Sequence, residues 1–320
     1  MLRLSVGKKA WHKSIMKSEH TIEATIARHA PHDGTFETQL PGLKLIRCSE
    51  TTLPMPVVYE PTLCLVAQGR KQAVLGQTSF VYDPSSYLVA SVDLPVMGSV
   101  IEASKDKPYL SMQLDLDTVE LADLAIRYPS EQHAPINGPI GLLLNKVDEG
   151  IIDAASRLLA LLDTPRDIDA LSPLAKREIL YRLITGVGGA ALRQIVQAGA
   201  HVNQIARSIV WIRKHFRETC SVEAGAEVAG MSRSTFHAHF KAVTNMSPLE
   251  FRTQLRLQEA RRLMLSEGLD AATAGFQVGY ASPSQFSREY GRVFGMSPAK
   301  HANALRQSPK QWIEPLAPVS

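Results

Sequence analysis

Two short runs of the chain carry side chains suited to hydrogen bonding along a polyanion. Arg233, Ser234, His237 and Lys241 stand in the first, and Ser284, Gln285, Arg288 and Arg292 in the second. Arginine, glutamine, histidine and serine offer donors and acceptors that match base edges, while lysine and arginine neutralise phosphates. The two runs are copies of one another. Ser234, Phe236, Val243, Met246, Ser247 and Pro248 recur 50 residues later as Ser284, Phe286, Val293, Met296, Ser297 and Pro298, and Phe240 returns as Tyr290. A period present twice marks a duplication rather than a solenoid.

Such side chains act together only if helices hold them in register, and each copy has the grammar of a helix–turn–helix. In the first, Val222–Ala229 is a short helix, Gly230-Met231 the turn and Ser232 an N-cap hydroxyl. Phe236 and Phe240, four apart, share the buried face and leave Arg233, Ser234, His237, Ala238 and Lys241 outside. In the second, Asp270–Gln277 leads to Gly279-Tyr280, Ser282 is the expected cap, and Pro283 occupies the first turn. Phe286 and Tyr290 point inward; Ser284, Gln285, Arg288 and Arg292 point outward or lie at the margin. Ser247-Pro248 starts a long helix over Leu249–Leu265, whose Phe251, Leu255, Leu257, Ala260 and Leu263-Met264 bridge the copies. A rigid strut of that kind suits two successive major grooves, about 34–36 Å apart on one face of B-DNA. Arg233, Ser234, His237, Gln285 and Arg288 are expected to read bases. Lys241, Arg292 and the amino ends of the helices begun by Ser232 and Ser282 are expected to hold phosphates.

The rest of the chain reads differently. With 320 residues, 45% apolar and 21% charged, it is long enough for two folded domains. The net charge of +4 is uneven: residues 201–320 hold 15 Lys+Arg against 9 Asp+Glu, and the first 200 hold 20 against 22. The positive excess lies with the duplication. Residues 1–39 read as a helix-prone or disordered lead-in, basic at the start but without the apolar core of a secretory signal, so a cytoplasmic location without membrane contact is expected. From Leu40 to Asp117, short apolar runs broken by Gly69, Gly76, Asp83-Pro84 and Lys107-Pro108 predict an antiparallel sandwich or barrel. Gln68-Gly69-Arg70-Lys71 reads as a tight hairpin turn. Leu144, Val147, Ile151, Ala154, Leu158 and Leu161 form one helical stripe, packed on its own domain or serving as a dimer seam, and a second helix is expected over Pro173–Leu183. The expected boundaries are 40–199 for the first domain with its helices, 200–306 for the reading domain and 307–320 for a tail.

Function classes narrow further. No histidine lies between Leu40 and Asp117, although the chain has 10, so a His-ligated metal among the strands is excluded and no cofactor is expected. Tyr59, Tyr82, Tyr87 and Tyr109 could line the entrance of an effector pocket or be half-buried core. The three cysteines, Cys48, Cys64 and Cys220, lie far apart and fit reduced structural thiols. The competing reading, a DNA-targeted enzyme or thiol sensor, would rest on Cys48 beside Arg47.

The run "GMSRSTFHAHFKAVTNMSPLEFRTQLRLQEARRLML" with "VGYASPSQFSREYGRVFGMSP" resembles the DNA-binding domain of AraC/XylS-type transcription regulators over Val202–Ala304. The upstream run "PVVYEPTLCLVAQGRKQAVLG…YLVASVDLPV…ASKDKPYLSMQLDLD" is similar to the amino-terminal domain of one branch of that family. The resemblance implies an α+β chain: a cupin-like antiparallel β-barrel followed by helices, then an all-α double helix–turn–helix. It also implies a dimer-capable regulator, usually an activator, with promoter DNA, RNA polymerase and a small effector as partners. The chain departs from the family pattern at Ala238, where the first reading helix usually has an arginine as the second keeps Arg288. It departs again at Gly225 and Gly275, where larger residues are usual; glycine inside a helix costs about 1 kcal/mol relative to alanine, so both leading helices are expected to fray.

Overall fold

The computed structural model describes residues 21–129, 139–186, 188–190, 192–193, 199–218 and 221–307. A helix, α1 (Ile22–His29), opens them, with the Thr21 hydroxyl accepting from Ala24 N and Ile26 fully buried. Nine strands follow: β1 (Gly34–Glu37), β2 (Leu43–Cys48), β3 (Met55–Tyr59), β4 (Thr62–Gln68), β5 (Arg70–Leu75), β6 (Thr78–Tyr82), β7 (Ser86–Ala90), β8 (Leu94–Glu102) and β9 (Tyr109–Asp115). After α2 (Thr118–Arg127), β10 (Leu142–Lys146) returns to the strands. The part of the expected lead-in after residue 20 is therefore ordered, a helix and a strand packed on the domain; residues 1–20 lie outside the described residues.

The strands do not close into one barrel. They form two antiparallel sheets, one of six strands ordered β1-β2-β9-β4-β7-β10 and one of four ordered β3-β8-β5-β6. Alternating burial, as in Arg70–Leu75, directs one face of each strand to a shared core. The Gln68–Lys71 segment is a corner between sheets rather than a hairpin, since β4 pairs with β7 and β9 whereas β5 pairs with β6 and β8. Gly69 makes the corner possible: φ is +81° and a Cβ there would lie 2.5 Å from the Glu102 carbonyl oxygen.

The expected helical stripe divides. Leu144 belongs to β10, which pairs with β7, and the helix proper, α3 (Glu149–Ala160), starts where the Asp148 carboxylate accepts from Ile151 N at 2.9 Å. Its Ile151, Ala154 and Leu158 are fully buried within the protomer, so this stripe is core and not a dimer seam. The next helix, α4 (Ile168–Thr185), begins earlier than expected and carries Pro173 inside it, on its exposed side.

The remaining helices are α5 (Gly199–His215), α6 (Val222–Ala229), α7 (Arg233–Thr244), α8 (Pro248–Ser266), α9 (Ala271–Gln277), α10 (Pro283–Phe294) and α11 (Pro298–Gln307). Among the described residues, no helix is long and apolar enough to cross a membrane.

Candidate nucleic-acid interface

Each copy of the duplication is an α-helical pair with its aromatic anchors in the core. Gly230 ends α6 in the left-handed conformation at φ +65°, and Ser232 begins α7, its hydroxyl accepting from Thr235 N at 3.3 Å. Phe236 and Phe240 are fully buried, with ring centroids 5.3 Å apart, and Phe240 meets Phe251 of α8 at the same separation. The second copy follows: Asp270 caps α9 through Ala272 N and Thr273 N, and Phe286 and Tyr290 of α10 are fully buried 5.4 Å apart. One expectation fails. Ser282 stands at the N-cap of α10 but its hydroxyl makes no capping bond, so Pro283 with its fixed φ carries the start of that helix.

Gly225 and Gly275 do not mark frayed helices. Both are buried where α6 and α9 cross the reading helices, and a Cβ would lie 3.2 Å from Phe236 Cζ in the first copy and 2.9 Å from Phe286 Cγ in the second. The missing side chain lets helix and aromatic ring approach closely in both copies, most tightly at Gly275, where that packing outweighs the low helix propensity of glycine.

The strut is α8. Ser247 and Glu250 form a capping box, the serine hydroxyl accepting from Glu250 N and the glutamate accepting from Ser247 N at 2.8 Å. Glu259, fully buried in α8, accepts from Arg217 at 2.7 Å and Arg262 at 2.8 Å. Arg256 donates to the carbonyls of Phe216 at 2.6 Å and Glu218 at 2.9 Å, tying the end of α5 to the strut. These contacts fix α5 to the strut.

What remains outside is the predicted reading set. Arg233, Ser234, Lys241, Ser284, Gln285, Arg288 and Arg292 are exposed, as is Ser232, while His237 and Ser282 are half-buried. Arg233 pairs with Glu223 at 3.0 Å, and Gln285 donates to Glu289 at 3.1 Å, both at the surface. Glu250 is held below the usual carboxylate range, chiefly by the Ser247 backbone and hydroxyl, then by the Lys241 and Arg292 charges. His239 does not join this surface; its ring stacks on His201 of α5 at 4.4 Å.

In the first domain the four tyrosines do not line an entrance. Tyr59, Tyr82, Tyr87 and Tyr109 are each buried, and the hydroxyls of Tyr59 and Tyr82 lie 3.1 Å apart inside the domain. Burial raises the pKa of Tyr82, Tyr87 and Tyr109. A cavity of about 730 Å³ opens elsewhere, between the end of β9, α2 and α4, lined in part by Leu116, Ile168, Leu174, Lys176 and Arg177. Cys48 and Cys64 are buried, and desolvation pushes the Cys48 thiol up to about 11; Cys220 lies outside the described residues. Among the described residues no group of three or more His, Cys, Asp or Glu could hold a metal.

The sequence reading missed Asn245, which ends α7 in the left-handed conformation at φ +58° and reaches into the first domain. The duplication contains its signal: Asn245 aligns with Gly295, which ends α10 at φ +73°.

Residues 39–191 match the family described as AraC-type transcriptional regulator N-terminus, and residues 226–304 match a helix-turn-helix domain family. Together these matches take in well over half of the chain. The HTH-type transcriptional activator RhaS of Shigella dysenteriae is 23% identical over 76% of this chain and 82% of its own length. The RhaS of Escherichia fergusonii is 29% identical over 48% of this chain, and that match spans about half of the relative, 55%. Among solved structures, ToxT of Vibrio cholerae bound to a naphthalenyl butenoic acid covers 82% of this chain and 98% of its own, at 12% identity and a TM-score of 0.50, a likeness of fold.

Proposed function

The chain belongs to the AraC-type transcriptional regulators, and from that membership we propose that it activates transcription by binding promoter DNA through α7 and α10 in two successive major-groove segments. One observation carries this reading. The two copies of the duplication bury matching aromatic anchors on a shared strut and leave matching polar and basic faces in solvent. Base readout falls to Arg233, Ser234, His237, Gln285 and Arg288, with Ser284 at the margin. Phosphate contacts fall to Lys241, Arg292 and the amino ends of α7 and α10 at Ser232 and Ser282. The domain limits follow the same division, with residues 40–199 regulatory and 200–306 reading DNA.

The first domain would bind a small effector, and the cavity beside α2 and α4 offers the room that the tyrosine-filled interior does not. A homodimer would use the outer face of α2 and α4, where Val119, Ile126 and Leu174 are 79%, 76% and 64% exposed. RNA polymerase is the further partner that activation requires, and the cytoplasm is where these partners meet. An enzymatic role would need an activated thiol or a metal; Cys48 is buried with its pKa raised, the opposite of a reactive cysteine. Alkylation of native Cys48 is therefore expected to be far slower than that of a free thiol, and a rate equal to or above the free thiol's would reopen the enzymatic reading.

The test is a gel shift of the purified chain on its own upstream DNA, with non-specific competitor, at two salt concentrations. A shift that survives competitor and weakens with salt is the expected outcome. Loss of the shift to competitor at both concentrations would end the specific-regulator reading.

A further inference from the structure

Among the described residues, the first domain forms hydrogen bonds to one of the two reading helices and none to the other. The last carbonyls of a helix have no partner within it. In α7 those of Ala242 and Val243 accept from Ile140 N at 3.0 Å and Gly141 N at 2.9 Å, both just before β10. The approach is close enough that a Cβ on Gly141 would lie 2.6 Å from the Val243 oxygen. One residue further on, the Asn245 side-chain amide donates to the Leu75 carbonyl at 2.9 Å and to the Thr78 hydroxyl at 3.0 Å, across the β5–β6 turn. Gly76 of that turn would place a Cβ 2.9 Å from the Asn245 carbonyl oxygen. Segments joined to both sheets of the first domain thus complete the end of α7.

A second anchor lies on α5, which packs against α6 and α7. Arg213 pairs with Asp93 and, at 3.2 Å, with Glu60 of the first domain. The Arg213 and Asp93 side chains are 11% and 13% exposed, so this pair is largely shielded from water. Among the described residues no hydrogen bond or ion pair ties α10 to the first domain. Nor does the grip cover the reading face of α7, since Arg233, Ser234, Ala238 and Lys241 remain exposed.

We infer that Asn245, with Ile140 and Gly141, is a positioning element through which the first domain sets the seating of α7 on DNA, so that only the operator segment read by α7 answers to the state of the first domain. The inference rests on the DNA-reading assignment above. A contact that leaves the reading face open supports it rather than blocks it, and among the described residues any coupling on to α10 runs through α8. Among the described residues, the Asn245 amide does for α7 what no group of the first domain does for α10.

The experiment uses the full chain and a randomised duplex library, with the selected sequences read out as a two-part motif. Arg233→Ala assigns the part read by α7 and Arg288→Ala the part read by α10. Asn245→Gly keeps the left-handed cap and deletes the amide; Thr78→Val removes an acceptor from the other side without touching the reading domain. Thr78→Val is expected to lower the preference for the intact α7 part over a scrambled one by about fivefold, the worth of one net hydrogen bond, and Asn245→Gly, which loses two, by more; both are expected to leave the α10 part unchanged. Equal losses in both parts, no loss in either, or a gain at the α7 part, which would make the contact a brake, each overturn the inference. A wild-type selection that returns no motif overturns the DNA-reading assignment itself, a different result from a motif that ignores Asn245.

Discussion

Replacing Gly275 by alanine sets two effects of known sign against one another. Alanine is favoured over glycine inside a helix by about 1 kcal/mol, which stabilises α9. The new Cβ would lie 2.9 Å from Cγ, 3.0 Å from Cδ1 and 3.3 Å from Cβ of Phe286. Those atoms sit at the root of the side chain and cannot swing away. The ring is fully buried between Tyr280 at 5.3 Å and Tyr290 at 5.4 Å, so relief requires α9 and α10 to part. Overpacking of this kind costs about 1–3 kcal/mol, leaving a net loss of about 1 kcal/mol. Gly225→Ala is the matched control. There the nearest atoms are Cζ of Phe236 at 3.2 Å and the Ser208 hydroxyl at 3.3 Å, tips that can shift, so the same change should be neutral or slightly stabilising. Urea unfolding, with hydrogen exchange of the α9 and α10 amides, reads the difference. Because α10 carries Arg288, Gly275→Ala should also weaken DNA binding, and Gly225→Ala should do so less. A Gly275→Ala protein more stable than wild type by about 1 kcal/mol would show that propensity alone governs α9, and the close crossing would be refuted.

Arg288→Ala should weaken specific binding by about 1–3 kcal/mol and relax preference at one base position; a uniform loss over all sequences, seen by competition with point-substituted duplexes, would make Arg288 a phosphate contact. His301 is buried with its Nδ1 3.1 Å from the Tyr290 hydroxyl, and burial, then the Arg261 charge, lowers its pKa to about 4. The unfolded chain, near 6.5, takes up this proton first, so stability present above pH 6.5 falls by up to about 3 kcal/mol as pH drops towards 4. Urea midpoints of wild type and His301→Gln across that window should diverge in slope, and parallel slopes would remove His301 from the acid response. Ile126→Glu should reduce sedimentation of a dimer to that of a folded monomer, whereas Ile151→Glu, which places a charge in the core, should unfold the first domain; a dimer that survives Ile126→Glu would exclude the α2 and α4 face.

The reading domain was legible because its signals are local and doubled. The cap at Ser232, a left-handed turn at Gly230 and aromatic residues four apart act within one or two helical turns, and the 50-residue period repeats the aromatic anchors as Phe286 and Tyr290. Ser282 shows the limit of such signals, since a serine in the right place makes no capping bond when Pro283 already fixes the turn. The first domain was less legible. Leu144 and Val147 fit a helical spacing by coincidence, and pairing of β10 with β7, more than 50 residues earlier, decided otherwise. The Gln68–Lys71 corner has the residues of a hairpin, but which strands flank it depends on partners distant in sequence.

The sequence by itself determined that this chain carries two copies of one helix–turn–helix module. Helix periodicity, turn chemistry and the duplication are properties of neighbouring residues, and they suffice to say which side chains face solvent. Only the tertiary structure decided what surrounds that module. Two sheets stand where one barrel was expected, the tyrosines are buried, α3 is core, and Gly225 and Gly275 are points of close approach. The junction of the domains was beyond the sequence for the same reason. The amide of Asn245 finds Leu75 and Thr78 across about half the length of the chain, and hydrogen bonds between such distant residues leave no periodic trace in the sequence.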